Sequence, residues 1–342
     1  MSVATAPITA RRTLSRAAGI PVAAAVLVLV CLLSIAVGAK SIPLGDVISG
    51  LLGNDGSESA AIVRELRVPR TLAGLAVGVG LGLAGALMQA LTRNPLADPG
   101  ILGVEAGAAA AIVVAIGAFG LTEPGTYVWF AFVGAAVASV VVYLLGSTGR
   151  AGASPVRLAL AGTAVAAALT AFTHGVMLLD PETFNEFRFW LVGSLSGRDL
   201  DVLAAIAPFI VAGAVIALAL ARPLNALAMG DDSGRALGAK VGRTRALGAL
   251  AITLLCGGAT AVAGPIAFVG LTIPHIARSI AGPDQRWVLG YSILLAPILL
   301  LAADIVGRIV VRPSELEVGI VTALIGAPVF IALVRRRRIA QL

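Results

Sequence analysis

Glu105 is a carboxylate placed inside an apolar stretch, VEAGAAAAIVVAIGAFG, of a chain in which charge is scarce. Keeping such a group away from water is costly, so it is a candidate functional residue by default; the plain alternative is a hydrated residue close to a membrane boundary. Just ahead of it runs QALTRNPLADPGILG, where Gln89, Asn94 and Asp98 supply more polarity than an ordinary turn requires. Pro95 and Pro99 stop the preceding helix from continuing, and Gly100 and Gly103 permit a sharp re-entry. These polar groups must face water or line a cavity. His174 and His275 lie far apart without metal-site spacing. His174 reads as a hydrogen-bonding residue between helices, the common use of polar side chains in a bilayer. Cys31 and Cys256 each sit in an apolar run and behave as small hydrophobes.

Self-contained catalysis finds no support. The phosphate-loop pattern G-x-x-x-x-G-K-[ST] is absent, and neither Lys40 nor Lys240 follows a glycine. The chain therefore reads as no enzyme, with no cofactor or metal of its own. Its remaining candidates are contact surfaces. ELRVPRT places Arg67 and Arg70 three residues apart at the mouth of an apolar segment, and Arg308 falls in what reads as a loop. Such cations could pair with the carboxylates of a partner. The stretch RPLNALAMGDDSGRALGAKVGRTR is mixed in charge and reads as three short helical pieces broken by glycines. Leu224, Leu227, Met229, Ala236 and Leu237 would be needlessly exposed on a merely solvated loop, so residues 222–243 read as a docking surface.

The elements that must position these residues are membrane helices. Hydrophobic residues make up 58% of the chain and charged ones only 13%, about half the charged share of a soluble domain. Without water at membrane depth, backbone groups must pair within a segment, and long uninterrupted apolar runs are then helical. Ten spans are expected, near residues 21–38, 71–92, 100–120, 126–146, 156–179, 200–221, 244–263, 265–280, 287–304 and 316–334. The eighth is short and broken by Pro265 and Pro274, so nine is the competing count. With ten spans and both ends in the cytoplasm, 17 of the 25 basic residues fall inside, as the positive-inside rule requires. A nine-span layout would strand the Arg335 to Arg338 run outside. The basic balance is thus topological, and nucleic acid is not a partner. Residues 1–16 and 337–342 read as cytoplasmic tails flanking one transmembrane domain, 17–336. Gly74, Gly78 and Gly82 line one face of the second helix and read as a site of close packing within the chain.

The run from Arg67 to Gly103, RVPRTLAGLAVGVGLGLAGALMQALTRNPLADPGILG, resembles the FecCD family of ABC-transporter permeases. NALAMGDDSGRALG, GPIAFVGLTIPHIAR, LLLAADIVGRIV and ELEVGIVTALIGAPVFIALV agree with it in order, so the resemblance covers about residues 20–336. It implies an all-α polytopic protein with the type II importer fold, ten helices per subunit, in a bacterial cell membrane and similar to the cobalamin permease. It implies as partners a second permease, two cytoplasmic ATPases that bind ATP and Mg, and an extracytoplasmic substrate-binding protein. ATPase contact is implied for Asn225 to Gly238, including Leu227, Gly230, Asp231, Ala236 and Leu237. Arg67, Arg70 and Arg308 fall where the family docks its binding protein. The pathway is implied to run along Pro155 to Leu179 and Val318 to Leu333, which brings in Thr163, Thr170, His174, Val321 and Leu324. Gly234 and Met229 depart from the family's usual alanine and leucine, which puts a regular helix through Gly234 in question.

The substrate implied is an iron chelate, foremost a ferric siderophore, with haem or cobalamin as alternatives. A rival from another class is an ion-coupled secondary transporter using Glu105 and His174, which would place ionisable groups near the bilayer midplane.

Overall fold

The computed structural model describes residues 8–53, 56–148 and 155–335. The expected tails at 1–7 and 337–342, with Arg150 and the run Arg336 to Arg338, lie outside the described residues. The polypeptide enters through α1 (Ile8–Ala36), which takes in residues 8–16 ahead of the apolar span. Two short helices follow, α2 (Leu44–Leu52) and α3 (Glu58–Ala61), and a π-helical turn at Ile62–Arg67 leads into α4 (Val68–Thr92). A 3-10 turn, Pro99–Leu102, precedes α5 (Val104–Phe119), which is followed by α6 (Pro124–Ser147) and α7 (Pro155–Leu179). Next come α8 (Pro181–Leu191), α9 (Leu200–Ala219) and the short pair α10 (Ala221–Ala228) and α11 (Asp231–Ala236). The last four are α12 (Val241–Ala263), α13 (Val269–Ala281), α14 (Gln285–Val310) and α15 (Val318–Arg335). The described residues contain no strand.

All ten anticipated spans have a helix. Among the described residues, seven helical stretches are long and apolar enough to cross a bilayer, with α5 and α15 as shorter apolar helices. The doubtful eighth span is α13, only 13 residues long and largely buried. Trp190 belongs to α8 and is buried.

The bundle is built around α4 and α12, whose most apolar windows are 78% and 72% buried, against 11% for α1 and 17% for α7. Helices buried on all sides within lipid need small residues where their axes meet, because packing rather than water expulsion holds them. Gly74, Gly78 and Gly82 lie against Leu301, Pro297 and Ala296 of α14, so the small-residue face packs inside the chain as anticipated. Gly85 is the tightest of these: a Cβ there would stand 1.9 Å from the Gly270 carbonyl oxygen of α13.

Candidate functional site

Three groups of side chains gather along this core. At the first, α10 and α11 form a helical hairpin whose joint, Gly230, has φ +101°, a conformation only glycine adopts without strain. Leu224 and Leu227 are buried, contrary to the exposed docking face expected of them, because the hairpin turns one apolar side back onto the bundle. Met229 and Leu237, 60% and 62% exposed, are what remains on the outside, together with Ala236 and Gly238. The loop makes two helices, not three, and α11 runs unbroken through Gly234. The doubt about a regular helix there is removed by packing: a Cβ at Gly234 would lie 3.3 Å from the Ala226 carbonyl oxygen, so glycine lets α11 lie against α10.

The hairpin is tied to the membrane helices at two points. Asn225 donates to Asp284 Oδ1 at 2.7 Å and accepts from the Gln285 backbone N–H at 2.8 Å, fastening α10 to the start of α14. Burial works against the Asp284 carboxylate, but hydrogen bonds from Arg286 and Asn225 hold it below its ordinary value. Asp231, first residue of α11, pairs with Arg245 of α12 at 2.9 Å and with Arg93, the left-handed cap residue of α4, at 3.3 Å.

The second group surrounds the polar segment after α4, which folds back into the bundle instead of making a simple turn. Asn94 Oδ1 accepts from the Leu96 N–H at 2.9 Å, and Asp98 Oδ1 accepts from the Gly100 N–H at 2.8 Å. The Pro95 carbonyl is 2.8 Å from His275 Nε2 of α13. Gln89, fully buried, donates to the Leu271 carbonyl at 3.2 Å and accepts a hydrogen bond from Arg278. Pro99 opens the 3-10 turn, and Gly103, at φ +71°, closes it into α5. Gly162 and Gly103 mark the depth of this re-entry, with Ile101 oxygen against Gly162 and Gly103 beside Val165. Glu105 is thereby carried to the level of the middle of α7.

There Glu105 lines a cavity of about 280 Å³ with Thr170, His174, Met177 and Trp190. Thr163, Thr170 and His174 lie on an exposed face of α7. His174 has no hydrogen-bond partner among the described residues, so the expected bond between helices is not made. Leu324 is exposed on α15, whereas Val321 is buried against Gly307 and belongs to the core, a correction to its expected place on the pathway.

The third group lies at the other end of α4. Arg67, Arg70 and Arg308 are 5%, 7% and 1% exposed, so they are not the free surface cations expected, and Arg308 is in the last turn of α14 rather than in a loop. Arg67 donates to the carbonyls of Ile35, Ala36 and Lys40 at 2.9, 2.7 and 2.6 Å, supplying donors to the C-terminal carbonyls of α1 that have no partner in the helix. Arg308 does the same for Ser34 and Val37 at 2.8 Å each. Asp304, fully buried, holds Arg70 at 2.7 Å and Arg308 at 2.8 Å, and Glu315 takes the other side of Arg70 at 2.5 Å. All three arginines nevertheless line an open hollow of about 240 Å³ with Lys40 and Glu315.

Sequence reasoning missed Asp304 and Glu315 as partners of these arginines, although the i, i+4 pair Asp304 and Arg308 inside an apolar run was a signal available to it. It also passed over Arg278 and Asp284.

A family model described as the FecCD transport family matches residues 26–336. The chain is 51% identical over 94% of its length to the ferric enterobactin transport system permease protein FepD of Escherichia coli (strain K12), covering 96% of that protein. It is 39% identical over 91% of its length to the iron(3+)-hydroxamate import system permease protein FhuB of Bacillus subtilis (strain 168), covering 82% of it. Among solved structures, a metal-chelate type ABC transporter in an inward-facing conformation superposes with a TM-score of 0.82 at 27% identity, covering 92% of this chain and 98% of the other.

Proposed function

Because the chain belongs to the FecCD transport family, we propose that it is the membrane-spanning permease subunit of an ATP-driven importer that takes a ferric siderophore from a binding protein into the cytoplasm. The observation that carries this reading is end-to-end similarity to permeases named for ferric enterobactin and iron(3+)-hydroxamate. The protein is a multi-pass protein of the inner membrane.

In this reading both ends of the chain are cytoplasmic, and Met229 and Leu237 on the α10–α11 hairpin meet an ATPase subunit that holds ATP and Mg; this chain holds neither. Docking by exposed apolar residues set among charges is how such a patch earns its place on a surface. The hollow lined by Arg67, Arg70, Arg308 and Lys40 receives acidic side chains of the binding protein at the opposite end. The exposed faces of α7 and α15 turn toward a second permease subunit, and the chelate passes between them along Thr163, Thr170, His174 and Leu324. No bond of the substrate is made or broken here.

The cavity holding Glu105 and His174 is the one feature that favours ion coupling instead. Uptake assays in a strain lacking this gene and carrying it back on a plasmid separate the readings. Restored accumulation of ferric siderophores, abolished by depleting ATP and insensitive to an uncoupler, is expected. Restoration for haem or cobalamin alone would change the substrate, and loss with the uncoupler at constant ATP would favour the ion-coupled carrier.

A further inference from the structure

The two ends of α4 are held in different ways: Arg70 at the outer end pairs with Asp304 and Glu315, and Arg93 at the inner end pairs with Asp231. Arg93, which ends α4, is in the left-handed conformation with φ 51°, so its side chain leaves the helix and reaches the hairpin joint. A Cβ at Gly230 would lie 3.6 Å from Arg93 Nη1, and Arg93 Nη2 is 3.3 Å from Asp231 Oδ1. The same carboxylate takes Arg245 Nη2 with both oxygens, at 3.0 and 2.9 Å. Asp231 thus stands at the meeting point of α11, α4 and α12, with a side chain only 27% exposed and that of Arg245 12% exposed. Charge-assisted pairs at such partial burial hold their geometry better than surface pairs.

The helices it joins are the two most buried long helices in the bundle. From Arg93 at its inner end, α4 runs outward to Arg70 at the outer hollow, about 35 Å at 1.5 Å per residue. There Arg70 is fixed by Asp304 and Glu315. Over that length α4 packs against α12, α13 and α14.

We propose that Asp231 is a positioning residue that clamps the hairpin to the ends of α4 and α12, so that a displacement at the ATPase surface moves these two helices instead of being absorbed in the loop. The inference rests on the reading of the hairpin as the ATPase-facing surface. It assigns Asp231 and Arg93 to transmission, and it leaves contact with the ATPase to Met229 and Leu237. Because coupling is reciprocal in free energy, the same clamp carries the effect of a partner docked at the outer hollow back to the hairpin.

The test uses the complete transporter in liposomes, with its second permease, ATPases and binding protein. Uptake of radiolabelled ferric enterobactin is divided by ATP hydrolysed and normalised to the ATPase content of the vesicles. Asp231→Asn and Arg93→Gln are each expected to lower uptake per ATP at least fivefold, and the double variant to be no worse than Asp231→Asn alone, since that change already removes the link to Arg93. Asp231→Glu, which keeps the charge, is expected to recover most of the ratio. An unchanged ratio overturns the proposal, and so does additive loss in the double variant. A fall in ATPase content that fully accounts for the loss of uptake also overturns it, since Asp231 would then serve attachment. Failure of the wild-type vesicles to retain ATPases or to import any ferric chelate would instead defeat the underlying reading of the hairpin.

Discussion

Asp304 joins the outer ends of α4 and α14. It is fully buried in α14 and holds both Arg70 and Arg308. Removing one partner of a buried ion pair leaves an uncompensated charge, which typically costs about 3–5 kcal/mol. Asp304→Asn is therefore expected to lower the thermal unfolding midpoint in detergent sharply, whereas Glu315→Gln, at the rim of the same cluster, should lower it far less. Glu105 poses the functional counterpart. It faces a cavity together with Thr170 and His174 rather than a protein cation. Glu105→Gln is expected to reduce chelate uptake at least about tenfold, the effect of one interaction of about 1.4 kcal/mol, at normal expression. Unchanged uptake would remove Glu105 from the pathway. The latch of Asn225 on Asp284 has a pH signature. The Asp284 carboxylate is depressed in the folded state, so its contribution is complete above the ordinary aspartate value of about 4 and is lost as pH falls through the lower folded value. Proteolysis of the hairpin should accelerate in that acid window and not between pH 6 and 8, and Asp284→Asn should abolish the difference.

Helices were legible to the degree that their physics is local. Apolar length is a property of a single segment, so all ten spans were expected, including the short α13, which only the distribution of arginines argued for. Depth was not legible. Glu105 read either as a functional residue or as a hydrated one near a boundary, because nothing local says how far the turn before it sinks beside α7, which Gly103 and Gly162 allow. Nor was the partner of Arg70, since Asp304 is 234 residues away and no local pattern links them. In the hairpin, alternation between buried Leu224 or Leu227 and exposed Met229 or Leu237 depends on how α10 meets α14, which a sequence of mixed polarity does not specify. Close approach is testable at this scale. Gly85→Ala puts a methyl 1.9 Å from a backbone oxygen of α13, and should exceed the about 1–3 kcal/mol common for overpacking. Gly290→Ala, within α14 and with nothing within 4 Å, should instead gain up to about 1 kcal/mol from helix propensity. Thermal unfolding of the two variants side by side checks both signs.

As a whole, the molecule is a buried pair of helices, α4 and α12, with a clamped hairpin at one end, a buried arginine network at the other and an uncovered face along α7. In the proposed function that arrangement supplies a route and two places to be gripped. The sequence has no G-x-x-x-x-G-K-[ST] pattern, and in the proposed function the energy source is a separate subunit. Vesicles containing this chain and its second permease subunit, loaded with ATP and supplied with binding protein and a ferric siderophore outside, measure the proposed function most directly. The account predicts no accumulation until the cytoplasmic ATPase is added, and accumulation that follows ATP hydrolysis afterwards. Accumulation driven by an ion gradient in vesicles without the ATPase, or ATP hydrolysis by this chain alone, would contradict it.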